Sequence, residues 1–146
     1  MTTPRLAIPA TIAVLIGLAH THLLLWGWGY VGAYSPHLKW LVDLGLRGST
    51  LRLVLLPVDF LISLALSLPA GLALASLRPR DRLRLFVALA LLSHLVCVNF
   101  YLIDLTLPVP DWIFALHLRD LARDLLALLL ATWLMRRSCQ VLLRPA

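Results

Sequence analysis

The chain has 146 residues, of which 61% are hydrophobic and 14% charged, against roughly 25% charged residues in soluble domains. That composition excludes an ordinary water-soluble globule and leaves a single domain whose solvent is lipid. The net charge is +6, but the arginines gather beside apolar runs rather than along a soluble face. They fit the headgroups of a lipid bilayer, and nucleic acid is not an expected partner.

A helix needs about 20 apolar residues to cross a bilayer. Four segments qualify, at about residues 6–26, 51–77, 83–107 and 112–135, so the expected fold is an all-α, polytopic membrane protein with four transmembrane helices. The first run continues through His22-Leu23-Leu24-Leu25-Trp26 with no polar region after it, which reads as a retained helix rather than a cleaved signal. Gly27-Trp28-Gly29 follows and reads as a helix end at the membrane interface.

The link after the first span has room for structure of its own. Ser35-Pro36 is an N-cap followed by Pro at the first helical position. The mixed stretch from His37 to Leu44, closed by Gly45, then predicts a short interfacial helix. Trp26, Trp28, Tyr30, Tyr34 and Trp40 would form an aromatic belt at that surface.

Basic residues set the orientation. Arg78, Arg80, Arg82 and Arg84 crowd the second link, Arg136, Arg137 and Arg144 follow the fourth span, and Arg5 precedes the first. Pro108-Val109-Pro110-Asp111 has no basic residue. The expected location is a bacterial-type inner membrane with both termini cytoplasmic. Cys97 falls in a span and Cys139 beyond the last one, with no CxxC motif, so no disulfide framework is expected.

Ionisable residues inside apolar spans are the main functional signal, because they face a protein interior or a wet cavity. The candidate cluster is His20, Asp59, His94, Tyr101, Asp104, His117, Asp120 and Asp124. Helical spacing puts Ala13, Gly17 and His20 on one face, and likewise Asp59, Ser63, Ser67 and Ala70. Ala90, His94, Cys97, Tyr101 and Asp104 share another, as do His117, Asp120, Asp124, Ala127 and Ala131. These are bundle faces packed through small residues, with polar groups toward the outer half and close packing toward the cytoplasm. His22, about 200° around the helix from His20, is expected to point outward. Arg119 and Arg123 fall on a different face of the fourth span, to be neutralised by other helices or to contact lipid or a partner. Asp120 and Asp124 are near enough to pair with Arg123.

The leading reading is an accessory or subunit protein of a larger membrane complex, or a homo-oligomer, whose polar pairs set helix packing. Three alternatives use the same cluster. His20, His94, His117, Asp59 and Asp120 supply ligand types that zinc accepts for hydrolysis, although no HExxH motif is present. Two histidines, such as His20 and His117, could hold b-type haem. A chain of Asp and His could carry protons or ions. Ser63 and Ser67 lack a base at defined spacing, Cys97 reads as packing, and there is no phosphate loop.

Overall fold

Long runs of Leu and Ala favour helix. The computed structural model describes residues 4–34, 36–102 and 111–142, and its described elements are all helical. α1 is Pro4–Tyr34, α2 Pro36–Asp43, α3 Gly48–Ser76, α4 Leu83–Leu102 and α5 Asp111–Leu142. A 3-10 turn at Arg80–Arg82 leads into α4. Two stretches, Leu6–Asp43 and Gly48–Ser76, are long and apolar enough to cross a membrane. Only 28% and 17% of their apolar windows are buried, whereas a soluble protein hides its most apolar helices.

The first helix does not stop at Gly27-Trp28-Gly29; α1 continues to Tyr34. Gly27 is buried, and a Cβ there would lie 2.7 Å from Leu66 Cδ1 on α3. Its small size therefore serves helix contact, which offsets a propensity cost of about 1 kcal/mol. α2 ends in a Schellman cap: Gly45 donates to the Val42 carbonyl at 2.9 Å and Leu46 to the Leu41 carbonyl at 3.2 Å. Gly45 has φ of 82°, a conformation that disfavours any side chain. The expected N-cap, Ser35, lies outside the described residues, as do positions 103–107 of the third predicted span. α5 runs past the expected end at 135, with the Arg137 guanidinium 4.6 Å from the Trp133 ring centroid.

Contacts give the helices their directions. Val14 accepts from Ser93 and Thr21 meets His94, so α1 and α4 are parallel. Ser63 meets Asp124 and Gly71 abuts Ala131 and Thr132, so α3 and α5 are parallel too. Trp28 reaches Ser63 and His20 reaches Ser67, so α1 and α3 are antiparallel. These α1–α4 and α3–α5 pairs are the most extensive, while α4 and α5 barely touch. An apolar core of Ala13, Ala70, Leu74, Phe86, Ala90 and Leu128 fills one end. The arginines of the 78–84 link and Arg136 and Arg137 belong to that same end.

Most described residues of the faces read from spacing are packed, while Asp59, Cys97, His117, Asp120 and Asp124 are half-buried. Ala13, Gly17 and His20, then Ser63, Ser67 and Ala70, then Ala90 and His94, then Ala127 and Ala131 are buried. His22 is exposed. A Cβ on Gly17 would overlap Ser93 Oγ and the Ala90 carbonyl, and one on Gly71 would meet Ala131 and Thr132 backbone at 2.7–2.8 Å. Gly17→Ala and Gly71→Ala should each destabilise the chain by about 1–3 kcal/mol through overpacking, read as loss of unfolding midpoint in detergent. Gly29→Ala, with open space around it, should be neutral or stabilising, and equal losses at all three positions would contradict this packing.

Candidate functional site

Hydroxyls that bond back to their own helix organise the buried polar layer. Thr21 Oγ donates to the Gly17 carbonyl at 2.9 Å, and Ser67 Oγ to the Ser63 carbonyl at 2.7 Å. A hydroxyl has one hydrogen, so each oxygen is left as an acceptor. His20 Nε2 lies 2.9 Å from Ser67 Oγ, and His94 Nδ1 lies 2.9 Å from Thr21 Oγ1. Both imidazoles must therefore donate at those atoms. The other nitrogens, His20 Nδ1 and His94 Nε2, are buried without a hydrogen-bond partner. The two rings lie 5.0 Å apart between centroids, tilted by 52°.

A second network sits beside this layer. Ser63 Oγ donates to Asp124 Oδ1 at 2.8 Å and accepts from Trp28 Nε1 at 3.1 Å. Asp124 also accepts from Arg123 Nε at 2.9 Å. Asp120 Oδ1 takes Arg119 Nη2 at 2.8 Å and Arg123 Nη1 at 3.2 Å. The Arg123 guanidinium lies 4.3 Å from the Trp28 ring centroid, a cation–π contact. Farther out, His37 Nε2 on α2 is 3.9 Å from Asp59 Oδ1 on α3. His117 Nε2 donates to Asn99 Oδ1 at 3.3 Å, and Asn99 Nδ2 donates to the Leu95 carbonyl at 2.7 Å.

These side chains border a cavity of about 520 Å³ that includes Trp28, Asp59, His94, His117, Asp120, Arg123 and Asp124, with Leu24, Val98 and Leu121 in its apolar wall. This size is within the usual range for small-molecule sites, and its surroundings combine fixed charges with an imidazole.

Of the candidates read from sequence, His20 and His94 meet each other, and Asp120 and Asp124 join Arg119 and Arg123. Arg123 turns inward, its side chain 15% exposed, while Arg119 remains half exposed. Asp59 and His117 line the same cavity but bond elsewhere. The Tyr101 side chain and Asp104 lie outside the described residues. His20, His94, His117, Asp59 and Asp120 do not form one ligand set: among the described residues, no group of three or more His, Cys or Asp could share an ion. His20 and His117 are not a facing pair for haem either, since His20 packs on His94 and His117 bonds Asn99. Cys97 is a half-buried free thiol.

Thr21 and Asn99 are site residues that the sequence reading did not name, and it placed Trp28 in the aromatic belt and His37 in the interfacial helix rather than at a site. Asn99 is the only asparagine in the chain, and an amide in an apolar run is a signal in itself. Trp28 lies seven residues after Thr21, on the same helix face. Comparison with protein-family models, curated proteins and solved structures finds no match to this chain.

The Arg123–Asp124 pair is 15% and 14% exposed, against 50% and 41% for Arg119–Asp120. Double-mutant cycles to alanine should give about 1.5–3 kcal/mol of coupling for the first pair and under about 1 kcal/mol for the second. Equal couplings in detergent unfolding would mean that burial does not distinguish them.

Proposed function

We propose that the chain is a four-span membrane protein in which α1, α3, α4 and α5 cross the bilayer and α2 lies at the outer interface. On this reading it belongs to a bacterial-type inner membrane, with both termini and the 78–84 link cytoplasmic. Helix direction supports the topology, since α3 opposes α1, α4 runs with α1, and α5 runs with α3. That alternation collects Arg78, Arg80, Arg82, Arg84, Arg136 and Arg137 at one end, as the positive-inside rule requires. Exposed Trp26, Tyr30, Tyr34 and Trp40 gather toward the other.

The proposed role is that of an accessory or subunit protein in a larger membrane complex, or of a homo-oligomer, with the polar cluster holding the helices in register. One observation carries this: the cluster's charges answer one another. Arg123 joins Asp120 and Asp124 while lying over Trp28, so the cation serves the bundle instead of being offered to a substrate. Exposed Leu53, Leu61, Leu92, Val96, Leu118 and Leu126 supply apolar surface for lipid or partner helices.

Topology is tested with single cysteines introduced after Cys97→Ser and Cys139→Ser. A membrane-impermeant maleimide should label Asp43→Cys in intact spheroplasts and Asp81→Cys only after permeabilisation. The reverse pattern, or equal labelling, would overturn the arrangement. For the role, crosslinking in native membranes should capture the chain with a stoichiometric second subunit or with itself, and a monomer throughout would count against it.

A further inference from the structure

The polar layer satisfies its hydroxyls from within and leaves two imidazole nitrogens over. We propose that His20 Nδ1 and His94 Nε2 together bind one first-row transition-metal ion, of which zinc(II) is representative. The inference goes beyond the accessory role and stands on side-chain geometry alone.

Three observations carry it. First, each ring has its N–H fixed by a hydroxyl already anchored to helix backbone, Ser67 for His20 and Thr21 for His94. Metal-bound histidines use such outer hydrogen bonds to set the tautomer that presents a bare nitrogen. Second, the bare nitrogens are buried and unpartnered on residues 1% and 0% exposed. A lone buried acceptor of this kind is destabilising, and two on adjacent rings make a site that a cation would satisfy. Third, the spacing fits. Two imidazoles on one tetrahedral ion, with bonds of about 2.0 Å, have centroids roughly 5 Å apart, and these are 5.0 Å apart.

The chemistry of the pair also narrows the ion. Neutral imidazole suits zinc, copper, nickel and iron, whereas magnesium and calcium take oxygen ligands. No third His, Cys or Asp completes the set among the described residues, so the pair supplies two ligands and other donors fill the rest of the coordination shell. His94 also borders the 520 Å³ cavity lined by Asp59, Asp120, Asp124, Arg119 and Arg123, which gives the pair a ligand-sized neighbour.

The test uses the full chain in detergent, stripped with chelator and titrated with Zn²⁺ by calorimetry and with Co²⁺ by absorption. One ion per chain and the intense visible bands of tetrahedral cobalt are expected. His20→Gln and His94→Gln should each weaken binding at least tenfold, while His117→Gln leaves it unchanged. Thr21→Val keeps both imidazoles but removes the partner of His94 Nδ1, and should weaken binding about 10–100-fold. A purely structural role for Thr21 would lower the unfolding midpoint without moving affinity. Absence of saturable uptake, or uptake unchanged in the His20→Gln/His94→Gln double variant, overturns the proposal. If those variants do not fold, X-ray absorption on the zinc-loaded native chain decides: two imidazole shells at about 2.0 Å support it, and a fit without imidazole rejects it.

Discussion

The Ser63 hydroxyl has a single hydrogen, and it points across a helix boundary to Asp124 on α5, while its oxygen receives the indole N–H of Trp28 on α1. Three helices thus meet at one side chain of α3. Asp124 in turn holds Arg123, and Arg123 lies over the same Trp28 that began the chain of contacts. The result is a closed circuit in which each member supplies the partner that another needs. In a water-poor surrounding an unanswered polar group costs several kcal/mol, so the circuit favours a complete arrangement over a partial one.

Small residues make that circuit reachable. Gly17 lets α1 approach Ala90 and Ser93 on α4, and Gly71 lets α3 approach the Ala131–Thr132 backbone of α5. Close backbone contact brings the hydroxyls, imidazoles and carboxylate of neighbouring helices within hydrogen-bonding reach. The molecule divides accordingly into an end filled by Phe86, Leu74 and Leu128 and an end with an open cavity bordered by Asp59, Asp120, Arg123 and Asp124.

Period and spacing made much of this legible. The apolar runs marked the helices, the i, i+3, i+7 pattern picked out the buried faces, and the angle between His20 and His22 separated an interior histidine from an exposed one. What spacing could not supply was which face meets which. His20 was grouped with His117 as a haem pair, yet the pairing of α1 with α4 gives it His94 instead. Trp28 was read as part of the interfacial belt because Gly27 and Gly29 looked like a helix end. Only the presence of Leu66 opposite Gly27 shows why α1 continues and carries the indole to Ser63. The five supposed metal ligands shared ligand chemistry, but the partners they take, among them Asn99 for His117 and His37 for Asp59, come from neighbours that no periodicity identifies.

The parallel pairing of α1 with α4 and of α3 with α5 bears on how the chain is made. Thr21 waits for His94, 73 residues later, and Ser63 waits for Asp124, 61 residues later. At a synthesis rate of about 5–20 residues per second, those intervals last roughly 3–15 s. Once α3 has been made, its polar face and that of α1 have the Trp28–Ser63 and His20–Ser67 contacts to make with each other before α4 and α5 follow. Of the helix pairings that share the polar layer, the antiparallel α1–α3 contact is thus the one that needs nothing from the second half of the chain.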